Sequence, residues 1–389
     1  MLHPFDREEF LTERFERRPL LVRREQPDYF RHLLSWEVID RVVTELNRHH
    51  PDVMLADQKV PRPVSSYTYP SGLIDVTRLY QAFADGASIV LGNLEVLHPP
   101  ISDACRALEA ELSTRFQANI YVTPPGHHQG LPSHWDTHDV FVLQVEGTKE
   151  WCVWEEGVEL PLRTESFNPA DLPELGEPAM RFMLEPGDTF YLPRGFVHKA
   201  ITGESGSAHI TLGVMFASWA ELLLEAVATA TKQHTDARRS LPLGFTRPEY
   251  DRNEAKEYFE NLMKKVWDDV DFDGAFEHFA EDLVASRHSI LRGQRAQVMA
   301  LGELSIDTEC EPRANVLYRI TEDEERVSIA CYGNNIHLPS FCAEPLRFAV
   351  ETDSYHVRDL PGDLDDDGKL VLITRLVREG LITMKLDEA

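Results

Sequence analysis

The chain is expected to fold around an antiparallel β core, a double-stranded β-helix or jelly roll, with helices before and after it. Three observations point there. Between residues 117 and 216, short runs rich in β-branched and aromatic residues follow one another, each ended by Gly or Pro. The segments on either side instead repeat apolar residues at helical spacing. Within the runs, polar residues recur at every second position, as in Asn119, Tyr121 and Thr123 or in Ser207, His209 and Thr211. Such alternation lines either the interior of a ligand-holding barrel or its solvated outside.

Taken in order, Glu8 to Phe15 carries Phe10, Leu11 and Phe15 at helical spacing, and Ser35-Trp36-Glu37-Val38 opens a second helix that runs through Leu46. Arg18-Pro19-Leu20-Leu21-Val22-Arg23 between them reads as a strand entry. A Pro-rich stretch from Pro61 to Pro70 precedes a helix over Val76 to Ala84, the apolar run Ser88 to Leu91, and a helix from Ser102 to Phe116. Then come the strands. Asn119 to Thr123 stops at Pro124-Pro125-Gly126, Val140 to Val145 is expected to turn at Glu146-Gly147, and Lys149 to Trp154 alternates until Glu155. Arg181 to Leu184, Asp188 to Leu192 and His209 to Phe216 complete the set.

Ser218-Trp219-Ala220-Glu221 has the form of a capping box and opens an apolar helix over Leu222 to Ala230. Tyr258, Phe259, Leu262 and Val266, then Phe276, Phe279 and Leu283, extend helical spacing to about residue 297. Short strands and two helical runs, Glu344 to Thr352 and Asp366 to Glu379, make the remainder a small winged-helix-like unit. Its Asp363, Asp365, Asp366 and Asp367 are poor company for a DNA phosphate, so a structural or protein-contact role is expected. Three domains follow: 1–217, with the barrel core at 88–217; a helical segment, 218–297; and 298–389. The stripe of Leu222, Leu223 and Val227 lies outside the barrel and is expected to meet a second copy of the chain or to cap its own barrel.

A formal net charge of −27, from 66 acidic against 39 basic residues, disfavours a nucleic-acid or anionic-membrane surface. It suits a basic polypeptide partner, and it also serves solubility. No run of apolar residues is long enough to span a membrane, and Met1 to Glu9 lacks the basic-then-apolar pattern of a secretory signal, so a soluble, cytoplasmic protein is expected. The 5 cysteines are scattered and never form Cys-x-x-Cys, which indicates neither a disulfide framework nor a zinc ribbon.

Chemistry concentrates in His134-Trp135-Asp136 and in His198, which closes Leu192-Pro193-Arg194-Gly195-Phe196-Val197-His198. Side chains two apart on a strand share a face, so His134 and Asp136 are expected to aim together, and a His from a later strand to join them. Two imidazoles and a carboxylate on one side of an ion form the facial triad of non-haem Fe(II) oxygenases, which leaves the other positions open. His-x-Asp is a common tripeptide, and a lone His on an apolar strand is more often a satisfied core residue. The surroundings therefore carry the weight. Lys149, between Val145 and Trp151, stands on the next expected strand, where its ammonium could hold a ligand carboxylate. His127 and His128 have no carboxylate beside them and read as loop residues.

These residues carry a family resemblance. The chain is similar to bacterial JmjC-type oxygenases of the ribosomal oxygenase, or cupin-4, family in Asn119-Ile120-Tyr121-Val122-Thr123-Pro124, in Gln129 to Asp136, and in Asp139 to Trp151. The likeness continues in Glu185-Pro186-Gly187-Asp188, in Leu192 to Ala200, in Ser207 to Thr211, and in the entry motif Phe15-Glu16-Arg17-Arg18-Pro19-Leu20-Leu21. His127-His128 adds a residue to the family pattern. The resemblance implies His134, Asp136 and His198 as ligands of Fe(II), and Lys149 as the partner of the far carboxylate of 2-oxoglutarate. It implies Asn119, Tyr121 and Thr211 as neighbours of that cosubstrate, and O2 as the other. It further implies hydroxylation of an Arg or His side chain of a ribosomal protein. A tailoring hydroxylase acting on a biosynthetic peptide or amino acid, a protein lysine demethylase and a non-catalytic cupin-like binding module are the alternatives. The intact ligand set favours an enzyme.

Overall fold

The computed structural model describes residues 1–386. It divides into two compact units, Met1–Phe216 and Ala217–Ala389.

The first unit opens with α1 (Arg7–Glu9), capped by the Asp6 carboxylate, which accepts the Glu9 N–H at 2.9 Å. The expected longer helix is instead a π-turn over Phe10–Arg14, with Phe15 N–H donating to the Phe10 carbonyl at 2.9 Å. This wider turn accompanies the burial of Phe10 edge-on against Tyr191, with centroids 4.9 Å apart. There follow β1 (Leu20–Val22), α2 (Trp36–Glu45), β2 (Val53–Ala56), α3 (Val76–Ala84), β3 (Ser88–Leu91) and α4 (Pro99–Leu112). The strand β2 was not expected from the sequence. Helix α4 stops short of Phe116, because Ser113 turns left-handed at φ 50° and Phe116 enters the next strand. The Glu109 carboxylate accepts the Phe116 N–H at 3.1 Å and fixes that exit.

The barrel itself is built from β4 (Arg115–Thr123), β5 (Asp139–Gly157), β6 (Met180–Leu184), β7 (Thr189–Leu192) and β8 (Phe196–Met215). All pairs are antiparallel, in the order β1-β7-β5-β8-β4-β3-β2, with β6 on the far half of β5. The turn expected at Glu146-Gly147 is absent. β5 runs through it as one 19-residue strand, with irregularities between Gln144 and Glu146 and between Gly147 and Lys149. Gly147 is required there by close approach as well as by its φ of +60°: a Cβ would lie 1.7 Å from the Gly206 carbonyl oxygen. The Gln144 amide pins the bulge by donating to the carbonyls of Glu146 and Gly147 and to Ser207 Oγ.

Alternation sorts the side chains. Ala118, Ile120 and Val122 of β4, Phe141, Leu143 and Val145 of β5, and Ile210 and Leu212 of β8 join the N-terminal helices in the main core. Val140, Val142 and Trp151 point the other way, in a smaller cluster with Phe190 and Leu192. The fold is thus the expected antiparallel β core with helices.

In the second unit, the Ser218 capping box starts α5 (Trp219–Thr231), followed by α6 (Asn253–Asp268), α7 (Phe272–Ala285) and α8 (Gln294–Met299). Beyond them lie β9 (Glu309–Pro312), β10 (Tyr318–Glu322), β11 (Arg326–Cys331), β12 (Asn334–Pro339), α9 (Ala343–Glu351), β13 (Tyr355–His356), α10 (Asp366–Arg378) and β14 (Ile382–Met384). These strands form two three-stranded sheets, β10-β11-β12 and β13-β9-β14. The Asp cluster has a local use. Asp365 caps α10 by accepting the Gly368 N–H at 2.8 Å, and Asp366 and Asp367 sit in its first turn, where the helix dipole favours negative charge. Among the described residues no helix is long and apolar enough to cross a membrane. All 5 cysteines are free and buried.

Candidate metal centre and ligand cavity

His134 and Asp136, expected on a strand, lie instead in the segment leading into β5, where His134 forms an isolated antiparallel bridge with His198 at the start of β8. Extended backbone still gives them a common direction, while Trp135 turns away to pack with Cys152, Trp154 and Val197. One donor atom from each of His134, Asp136 and His198 lies within 4.8 Å of the others. His134 Nε2 is 3.8 Å from Asp136 Oδ1, and His198 Nε2 is 3.7 Å from Asp136 Oδ2. These gaps are too long for hydrogen bonds and leave space between the donors for an ion.

The imidazoles are prepared for one. His134 Nδ1 lies 2.8 Å from the Pro132 carbonyl and His198 Nδ1 lies 3.1 Å from the Phe196 carbonyl. A carbonyl only accepts, so each Nδ1 carries the proton and each Nε2 keeps its lone pair toward the common point. Burial and the neighbouring His134 push the His198 imidazole down to about 4, which keeps it neutral, the form that binds a metal. The donor set therefore fits a divalent transition metal with open positions.

The same cavity is lined by Tyr121, Val140, Val142, Lys149, Trp151, Ala200, His209 and Thr211. Lys149 is 4 % exposed, and no carboxylate among the described residues pairs with it; its ammonium donates to Thr123 Oγ1 at 3.1 Å. Burial drives it down to about 7. A buried ammonium without an acid is costly, and a ligand carboxylate would relieve that cost. Trp151 and His209 line the cavity too, and their Nε1 and Nδ1 atoms are buried and make no hydrogen bond. His209 stacks on Tyr121 at 5.1 Å and is held well below the ordinary imidazole range by burial and then by Lys149.

Of the residues named from the sequence, His134, Asp136, His198, Lys149, Tyr121 and Thr211 come together here. Asn119 does not line the cavity. It stands opposite Thr211 in the β4–β8 register, close to Gly92, whose Cβ would lie 3.5 Å from Asn119 Oδ1. Trp151 was missed as a site residue, and Thr123 and His209, named from the sequence as lining either the barrel interior or its outside, were not assigned to the site. Their signal was parity, since Thr123 shares a face with Tyr121, Trp151 with Lys149, and His209 with Thr211. His127 and His128 stay loop residues, but a carboxylate does stand beside one of them, Glu204 Oε1 at 3.2 Å from His127 Nε2; His128 N–H donates to Thr202 Oγ1 at 3.0 Å and latches the loop onto β8.

A family model described as a JmjC domain matches residues 97–222, the stretch that supplies all three donors. Over that stretch the chain is similar to JmjC domains. Outside that stretch, relatives extend the likeness. The bifunctional lysine-specific demethylase and histidyl-hydroxylase NO66 of Aedes aegypti is 31% identical over 72% of this chain and 46% of its own length. Ribosomal oxygenase 1 of Danio rerio is 29% identical over 73% of this chain and 55% of its own. The chain thus spans about half the length of these two curated relatives. Among solved structures, YcfD, a ribosomal oxygenase from Escherichia coli in complex with cobalt and 2-oxoglutarate, superposes with a TM-score of 0.59 at 16% identity, covering 98% of this chain and 99% of that one. At that identity the likeness is one of fold, and the stretch that matches the JmjC model lies within it.

Proposed function

We propose that this chain is an Fe(II)- and 2-oxoglutarate-dependent oxygenase that hydroxylates an Arg or His side chain of a basic polypeptide, a ribosomal protein above all. The observation that carries the reading is one cavity holding both a two-His, one-Asp donor set and a buried lysine without an acid. Iron bound there would supply the activation of dioxygen that is coupled to decarboxylation of 2-oxoglutarate. The protein's own residues do the rest. His134, Asp136 and His198 hold the metal, and the carbonyls of Pro132 and Phe196 keep both imidazoles in the ligating tautomer. Lys149, steadied by Thr123, takes the distal carboxylate of the cosubstrate, with Tyr121 and Thr211 beside it. Val140, Val142, Trp151 and Ala200 give the cavity apolar walls that exclude water.

Support for the substrate comes from the relatives named ribosomal oxygenases and from the net charge of −27, which attracts a basic chain. A second reading, removal of a methyl group from lysine, is favoured by the demethylase in the names of several relatives. Incubation with Fe(II), 2-oxoglutarate and ribosomal proteins separates them. Gain of one oxygen on an Arg or His is the expected result; formaldehyde release from methyl-lysine peptides alone would replace it with demethylation, and turnover of small peptides or amino acids alone with a tailoring role. The helical part, 218–297, is proposed to pair two copies through Trp219, Leu224, Phe259 and Trp267, all exposed. The winged-helix-like part, 298–389, is proposed for protein contact, and a cytoplasmic setting is proposed for the whole.

A further inference from the structure

The segment carrying Asp136 and the one leading to His198 are tied together by a buried ionic cluster that no ligand role explains. Asp139 is fully buried, three residues beyond Asp136. Its Oδ1 accepts from Arg194 twice, from the backbone N–H at 3.2 Å and from Nη1 at 3.0 Å, and its Oδ2 accepts from the Tyr191 hydroxyl. The Tyr191 hydroxyl in turn accepts the Glu16 N–H at 2.9 Å, and Arg194 Nη2 meets Glu16 Oε1 at 2.6 Å. Next to Arg194, the Gly195 N–H donates to the Asp136 carbonyl at 2.9 Å.

We propose that Asp139 and Arg194 are positioning residues that hold the Asp136 carboxylate at the distance from His134 and His198 that a metal needs. The two histidines fix each other through their backbone bridge, whereas Asp136 lies outside any strand. Its placement depends on what fastens the turn behind it. A buried ion pair is seldom the most stabilising filling for such a position; well-packed apolar residues often serve stability as well or better. What the pair adds is direction: the fork of Arg194 and the two oxygens of Asp139 permit one relative placement of the two segments. Glu16 sits at the outer end of the cluster, one-third exposed, and orients Arg194 from there.

This inference rests on His134, Asp136 and His198 being metal ligands. The test is titration of the full chain with Co(II), read from its visible absorption band, in wild type, Asp139→Asn, Arg194→Lys, Glu16→Gln and, as a control in the core, Leu79→Ala. Asp139→Asn keeps shape and loses charge; it is expected to bind Co(II) about 10- to 100-fold more weakly, with an altered band. Arg194→Lys should show the same trend, and Glu16→Gln less than about a threefold change because its pair is part-exposed. Leu79→Ala, buried in α3, should lower the melting temperature without moving the band. Unchanged affinity and band in a folded Asp139→Asn would overturn the proposal, as would an equal loss in Leu79→Ala. If Asp139→Asn does not fold, Arg194→Lys decides by the same criteria. A wild type that takes no Co(II) overturns the metal-centre reading itself, and the clamp with it.

Discussion

His198 N–H donates to the His134 carbonyl at 2.8 Å, and His134 N–H returns to the His198 carbonyl at 3.1 Å. This reciprocal pair places the two imidazoles on one side of the backbone, with ring centroids 4.4 Å apart. Two ligands of the proposed centre are thus set by main-chain geometry, and the third by the Gly195 N–H on its carbonyl together with the proposed Asp139–Arg194 clamp.

Preorganisation of this kind predicts that metal stabilises the folded chain without reshaping it. Co(II) at about a hundred times its dissociation constant should add about 2.7 kcal/mol to the unfolding free energy. The gain should vanish in His198→Ala. Thermal melts with and without Co(II) measure both, and an undiminished shift in His198→Ala would contradict the ligand assignment.

Lys149 gives a pH prediction. Burial lowers it to about 7 from 10.5, so between those values the unfolded chain holds a proton that the ligand-free folded chain has lost. Stability attributable to this residue therefore rises with pH from about 7 upward. Binding of a dicarboxylate needs the charged form, so affinity for 2-oxoglutarate should fall above about pH 7, by up to about tenfold per pH unit. Arg stays protonated throughout, so Lys149→Arg should bind with a flatter profile over the same range. Calorimetric titration across pH 6 to about 9 checks the contrast; parallel profiles would remove Lys149 from that role.

Gly147 was legible as a glycine signal but not as what it is. Gly in an apolar run suggests a turn or a bulge, and only the pairing of β5 with Ser207 and Thr202 of β8 selects the bulge. Gly147→Ala should cost about 3 kcal/mol or more, since φ is positive and the Cβ would meet the Gly206 carbonyl. Urea unfolding reads the loss. A change within about 0.5 kcal/mol would mean that β5 and β8 separate there.

Other parts of the site divide along the same line. Helix α3 and the alternation of β4 and β8 depend on local pattern, and the sequence shows them directly. The common direction of His134 and Asp136 needs only extended backbone, so it is legible although neither residue joins a strand. Asp139, Arg194 and Thr123 are different: their partners are brought in by barrel closure across long stretches of chain. Asn119 shares parity with Tyr121, yet lies against Gly92 instead of the cavity. Periodicity names a face; register and closure decide what that face meets.

The exposed apolar residues of α5, α6 and α7 predict a dimer. Light scattering on the pure chain should give about twice 44.4 kDa. The double variant Trp219→Glu, Leu224→Glu should give a single-chain mass, because a charge buried in an apolar interface without a partner is disfavoured. A wild type already at the single-chain mass would end the proposal.

The central claim is that His134, Asp136 and His198 hold one ferrous ion beside a 2-oxoglutarate site. Anaerobic titration with Fe(II) and 2-oxoglutarate, followed by the weak visible charge-transfer band of the chelate, tests it most directly. Wild type should develop the band at one iron per chain, and folded Asp136→Ala should not. A band of equal strength in both, or none in wild type, contradicts it.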